Sequence, residues 1–241
     1  PILAESPVEA LVRLVSGALS SASLLAVLNG ANALAIGDGT PDNWEIVQFR
    51  QADLVAAQTY ALSWRLRGQL GTDALMPDVW PVGSRVVLLD GALSQIELPS
   101  SARTIVRHYR IGTARRGYDD PNVVHRQIAF AGNGLRPYAP VHLTARRLGG
   151  DLAVTWVRRS RIGGDDWGLA DVPLAETREH YLVQVRQSGA VLREVQVFSP
   201  GWTYTAAQQA TDGASGPVAI TVAQVSESFG PGPARRLEVT L

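Results

Sequence analysis

The chain offers few residues with the chemistry of a catalyst. Its four histidines are His108, His125, His142 and His180. No two of them stand at ligand spacing and no His-Glu-x-x-His pattern occurs, so a zinc site would require convergence in space that the sequence does not announce. Partly exposed strand histidines are the reading that fits. Cysteine is absent, which removes thiolate metal sites, a cysteine nucleophile and disulfide staples together. No Gly-x-Ser-x-Gly elbow accompanies any serine. A phosphate-cradling Walker loop requires lysine, and all 22 basic residues are arginine. The sequence therefore points to no cofactor, no metal and no catalytic residue.

Paired carboxylates are the next chemistry to consider, because glycosidases work with two of them at a set separation. Asp119-Asp120 and Asp165-Asp166 are adjacent in Pro-flanked or Gly-rich stretches. Neighbours on an extended chain point to opposite sides, so neither pair forms an acid/base couple by itself. Aspartates that start turns by bonding their own backbone account for both. A carbohydrate-active reading, in which this piece is an accessory carbohydrate-binding fragment of a glycoside hydrolase, would need carboxylates converging from separate strands.

Two stretches remain as candidate recognition surfaces. Arg103, Arg107, Arg110, Arg115, Arg116 and Arg126 make a locally basic segment opposed by Asp119 and Asp120. It lacks the interleaved aromatics of a nucleic-acid surface, which argues against sequence-specific nucleic-acid binding. Arginine enrichment at interfaces favours subunit contact over a phosphate or acidic-sugar ligand. The second stretch, Arg161 to Leu169, carries Asp165, Asp166 and Trp167 among glycines. An aromatic ring beside carboxylates suits sugar stacking with hydroxyl bonding, or a protein hot spot. The alternative is a tryptophan folded back onto its own domain, and the sequence leaves both open.

The elements that must position these residues are strands. Val141-Leu143-Ala145, Leu152-Val154-Trp156, Tyr181-Val183-Val185, Trp202-Tyr204, Val218-Ile220-Val222 and Leu237-Val239-Leu241 each place apolar side chains at every second position. That is the pattern of half-buried antiparallel strands in a sandwich. Residues 1–135 also read as mainly β. A hairpin is expected from Leu24–Leu28 through Asn29-Gly30 to Ala33–Ile36. Further strands are expected at Trp44–Phe49, Tyr60–Leu66, Arg103–Ile111 and Val123–Phe130. Arg85–Asp90, apolar on both faces, reads as a central strand, and one helix is expected around Pro7–Val15. Gly132 to Pro140 makes a short, semi-rigid joint. The expectation is an all-β chain of two domains, 1–135 and 136–241.

Composition agrees with folded domains. Hydrophobic residues make up 46% and charged residues 18% of 241 positions, and the net charge is zero. No global field draws in nucleic acid or an anionic membrane. No stretch approaches the ~20 apolar residues of a membrane span. The start, Pro1-Ile2-Leu3-Ala4-Glu5, has neither the basic region of a signal peptide nor an initiator methionine. A piece of a longer polypeptide is expected.

Two resemblances follow from particular residues. A leading proline, Trp156 on the second strand, Tyr181-x-Val183-x-Val185 and the Gly230-Pro231-Gly232-Pro233 turn together resemble a fibronectin type III module. That family's corner tyrosine is replaced here by Val218, so the corner is expected to be fixed otherwise, by Pro217. The second resemblance rests on four motifs in order: Val15 to Ser21, Leu66-Arg67-Gly68-Gln69-Leu70-Gly71-Thr72, Tyr109 to Pro121, and Leu135 to Pro140. The chain resembles the C-terminal part of the "megatron" baseplate protein of gene transfer agents and tail-tip proteins of long-tailed phages. This implies a non-enzymatic, structural segment of a virion-like particle tail tip, assembled in the bacterial cytoplasm and acting extracellularly. It implies a homo-oligomer, a trimer around the tail axis, together with other tail and baseplate hub proteins. Cell-surface polysaccharide or an envelope protein would be the external partner.

Overall fold

Strand pairing and turn chemistry decide nearly every element in the computed structural model, which describes residues 10–164, 168 and 170–241. The chain is all-β and divides into two compact units, 1–133 and 134–241.

In the first unit, five antiparallel strands form one sheet: β1 (Ala10–Arg13), β2 (Ala33–Gly37), β3 (Trp44–Ala56), β4 (Thr59–Gln69) and β5 (Arg85–Leu88), in the order β1-β4-β3-β2-β5. Its core gathers Val12, Leu34, Val47, Phe49, Tyr60 and Leu62. Several expectations change here. Ala10–Arg13 is a strand and not part of a helix, because Val12 turns inward while Leu11 faces out and the segment pairs with Thr59–Leu62. The expected helix residues Pro7 to Glu9 lie outside the described residues. Leu24–Leu28 forms a short helix, α1, in place of a hairpin strand. Ser23 caps it by accepting from the Ala26 N–H, and Asn29-Gly30 ends it, with Gly30 at φ +96°. The same Asn-Gly that signals a hairpin also stops a helix, and Gln48 decides the matter by donating to the carbonyls of Val27 and Ala31.

Arg85–Leu88 pairs only with β2 and is an edge strand, not a central one. Val86 and Leu88 pack on the core while Val87 faces outward. Trp64 also leaves its expected place: Tyr60, Leu62 and Leu66 are buried, but Trp64 takes φ +53° and sits half exposed beneath the Arg50 guanidinium. Farther along, β6 (Arg107–Ile111) and β7 (Val124–Ile128) pair only with each other, as a two-stranded ribbon.

The second unit is a fibronectin type III-like sandwich. Strands β8 (Val141–Leu148), β9 (Asp151–Val157) and β12 (Gly201–Tyr204) make one sheet, ordered β12-β9-β8. The other sheet holds β10 (Tyr181–Gln187), β11 (Ala190–Val197), β13 (Pro217–Ser226), the two-residue β14 (Gly230–Pro231) and β15 (Arg235–Thr240). All six alternating runs are strands, and their inward residues form one core that includes Trp156, Tyr181, Val183, Tyr204 and Ile220. The sequence reading missed β11, an edge strand with much of its apolar surface open, and the short helix α2 (Ala206–Thr211). In α2, Thr205 and Gln208 form a reciprocal capping box. Gly232 is a positional requirement: a Cβ there would lie 2.1 Å from the Pro137 carbonyl oxygen.

The corner that lacks the family tyrosine is not fixed by Pro217, which is exposed. Asp212, just after α2, accepts from Arg193 Nε and Nη2 at 2.7 and 2.8 Å and from the Tyr204 hydroxyl at 2.7 Å. One carboxylate thus ties β11, β12 and the end of α2 together. Val218 is simply core.

Candidate functional site

The basic segment does not assemble into one patch. Directly paired residues of antiparallel strands share a face. The register therefore puts Arg107, Tyr109, Ile111, Val124, Arg126 and Ile128 on one side of the β6–β7 ribbon, and His108, Arg110, His125 and Gln127 on the other. Arg103 precedes β6, and Arg115 and Arg116 lie in the connection between the strands. Arg110 donates to the Tyr118 carbonyl at 3.0 Å, and Arg116 pairs with Asp120 at 2.7 Å. That pairing, with help from Asn122, holds the Asp120 carboxyl below the usual carboxylate range. Asp120 also accepts from the Asn122 backbone and side chain, as a turn-starting aspartate does.

The ribbon brings together two histidines that lie 17 residues apart in sequence. His108 Nδ1 stands 2.9 Å from His125 Nε2. Their ring centroids are 5.1 Å apart with planes within 13°. Such a short nitrogen contact at that centroid separation means the rings meet end to end and share a hydrogen bond, rather than lying face on face. Cross-strand diagonal contact is invisible to a search for helical ligand spacing. Among the described residues no three His, Cys, Asp or Glu side chains gather where they could hold a metal. His142 is exposed, while His180 is buried, bonded to Gln196 and stacked on Phe198.

Asp165, Asp166 and Trp167 lie outside the described residues, as does Leu169. The two stems of that loop are described, and arginines fasten them. Arg158 donates to the carbonyls of Val172 and Pro173. Arg161 pairs with the buried carboxylate of Glu176 at 3.0 Å and also reaches the Ala175 carbonyl.

The most developed polar constellation arises where sequence reasoning did not look for chemistry. Glu45, on β3, is completely buried. Arg67 on β4 grips it with two nitrogens, Nε at 3.0 Å and Nη2 at 2.8 Å. The Gly68 N–H donates to the same carboxylate at 3.0 Å, and the Trp80 indole N–H does so at 2.6 Å. Arg67 further donates to the carbonyls of Pro77 and Asp78. The Leu-Arg-Gly-Gln-Leu-Gly-Thr motif is thereby explained: Leu66 is core, Arg67 and Gly68 hold Glu45, and Thr72 accepts from the Ile46 N–H and donates to the Gln69 carbonyl. A buried acid on β3 was the available signal, but an isolated Glu in a strand does not name its partner.

Beside this clamp runs an open groove of about 470 Å³, lined by Asp38, Asn43, Leu75, Pro77, Trp80 and the Pro81–Ser84 segment. Asp38 accepts from the Thr40 backbone and hydroxyl and from the Asn43 amide. These bonds, Asn43 first, bring its carboxyl down to about 2.

The family model described as "Rcc01698-like, C-terminal" matches residues 3–87. The match takes in β1 to β4, all of β5 but Leu88, the clamp and the groove lining, and it is consistent with a protein related to gene transfer agents. No curated protein sequence matches the chain. Among solved structures, domains d3–d4 of the rat CD45 extracellular region are similar at 10% identity and a TM-score of 0.32, covering 79% of this chain and 94% of that one. A structure titled "Myokine structure" is similar at 18% identity and a TM-score of 0.29, covering 43% of this chain and 96% of that one. Among the described residues no helix is long and apolar enough to cross a membrane.

Proposed function

We propose that this chain is a non-enzymatic structural segment of the tail baseplate or tip of a phage-like gene-transfer particle, where it supports assembly and contacts the recipient cell surface. The observation that carries this reading is the family match over residues 3–87, joined to the motif order that extends through Pro140. The β6–β7 ribbon supports a role in a homo-oligomer, a trimer about the tail axis, next to other hub proteins. One of its faces sets Arg107 and Arg126 among Tyr109, Ile111 and Val124, with Ile111 and Val124 exposed. Arginine and aromatic side chains around accessible aliphatics are the composition of a subunit contact. An isolated two-stranded ribbon is also marginal by itself, which favours its being covered by a neighbour.

For the external partner, the loop carrying Asp165, Asp166 and Trp167 is the assigned contact with polysaccharide or envelope protein. Its arginine-fastened stems form a rigid base on which a loop can carry recognition. The test is made in particles. An affinity label fused after Leu241 should be found by electron microscopy at the tail tip of purified particles, and particles without the label would refute the reading. Trp167→Ala particles should assemble normally and adsorb less to recipient cells. Unchanged adsorption by correctly assembled particles would return the loop to a plain connection.

A further inference from the structure

We infer that the groove between the β2–β3 turn and residues 75–84 is a binding site for neutral saccharide chains. Its walls are prepared in advance. The Trp80 indole is locked by its bond to Glu45, and Arg67 holds the carbonyls of Pro77 and Asp78. Ser84 ties the 81–84 turn by donating from both its N–H and its hydroxyl to the Pro81 carbonyl. Pro77 and Pro81 fix their own backbone angles. A buried carboxylate, paired with Arg67, that immobilises a partly exposed tryptophan-proline loop spares that loop the ordering cost of binding.

The lining chemistry selects the ligand. Trp80 offers an aromatic wall, continued by Leu75, Pro77, Pro81 and Val82. An aromatic wall suits the C–H face of a pyranose. The same lining holds the Asp38 carboxylate and the Asn43 amide. Three bonds to Asp38 are made internally, and a carboxylate has about four acceptor positions, so capacity remains for a hydroxyl. Asp38 is the one ionisable group among the lining residues, and its carboxylate disfavours acidic sugars, phosphates and nucleic acid, with the Arg85 side chain packed against Gly39 next to it. A proline-rich peptide would want several aromatic ridges, and Trp80 is the single aromatic here. The volume falls within the range of about 300–1,000 Å³ usual for small-ligand clefts. This site lies in the first unit and does not depend on the baseplate reading.

The test uses the full chain in solution, where failure would leave the particle experiments untouched. Maltotriose, cellotriose and tri-N-acetylglucosamine are titrated by calorimetry and by ¹H–¹⁵N NMR, with a sialylated trisaccharide and a polyproline peptide alongside. The expected result is saturable binding of at least one neutral trisaccharide, with shifts centred on Asp38, Asn43 and the Trp80 indole N–H. Val82→Arg, at a fully exposed position, leaves the fold intact and should weaken that binding about tenfold. Trp80→Ala should weaken it at least as much. The inference is overturned if none of the neutral trisaccharides binds, if the sialylated sugar or the peptide binds instead, or if Val82→Arg binds as the wild type does.

Discussion

Arg67 meets Glu45 in a two-nitrogen grip, and the carboxylate it holds has no exposed surface at all. Taking a carboxylate out of water is costly unless its charge and its lone pairs are all met. Here a guanidinium, a backbone N–H and an indole N–H meet them. The pair joins β3 to β4 and fixes the 77–80 segment, so it links the sheet to the groove wall.

Arg67→Ala should therefore destabilise the first unit by about 3–5 kcal/mol, near the lower end because the arginine is about a quarter exposed. Arg67→Lys should recover only part of this, since an ammonium cannot reproduce the planar fork. Urea denaturation monitored by NMR signals of β3 and β4 gives the number. A loss under 1 kcal/mol for Arg67→Ala would show that water reaches Glu45 freely.

Gly68, the next residue, sits at φ +61°, and a Cβ there would lie 2.7 Å from Asp73 Cβ and 2.8 Å from Asp73 Cα. Gly68→Ala combines a left-handed backbone cost of roughly 1–2 kcal/mol with that clash. A stability loss of at least about 2 kcal/mol is expected, with the Gly68 amide shifting away from its bond to Glu45. Wild-type stability would mean that the 72–75 turn yields without penalty.

The sandwich was legible because its strands each have one wet face, so period two survives in the sequence from Leu152 to Trp156 and from Tyr181 to Val185. Strand β11 escaped because an edge strand buries little, leaving Val191 and Leu192 without a clear alternation. In the first unit, Leu24–Leu28 was misread since Asn29-Gly30 serves equally as a hairpin turn and a helix stop, and the choice belongs to Gln48, about twenty residues on. The site was less legible still. Glu45–Arg67 and His108–His125 are cross-strand meetings between residues 22 and 17 positions apart, and they depend on a register that a one-residue slip would change, so spacing within one segment does not announce them.

Trp156 anchors the sandwich, buried and edge-on to Tyr181 with centroids 5.1 Å apart. Trp156→Ala should cost about 3–5 kcal/mol. Its indole N–H is buried beside the Tyr181 ring. Trp156→Phe keeps an aromatic ring and leaves a smaller cavity, so it should cost distinctly less than the alanine variant. Both are measured by guanidinium denaturation of the chain. Equal losses for the two would show that a hydrogen bond from the indole N–H to Tyr181, not ring volume, sets the stability.

Asp212 supplies a pH signature for the corner. Its carboxyl lies below the usual range, chiefly because Arg193 donates to it, with the Tyr204 hydroxyl adding to the effect. The Tyr204 phenol is pushed above its ordinary range, first by burial and then by its bond to Asp212. A carboxyl depressed in the folded state binds fewer protons there than when unfolded, so its stabilising contribution is complete above the unfolded value of about 3.9. That contribution is lost as pH falls through the lower folded value. Asp212→Asn keeps the shape without the charge. At pH 7 the variant should denature at lower guanidinium concentration than the wild type, and the gap should close as pH is lowered from about 5 toward 2. Other carboxylates titrate in both proteins and cancel in the difference. A gap that stays constant down to pH 2 would mean that the corner is held by packing of Tyr204 and Arg193, with the Asp212 charge contributing nothing.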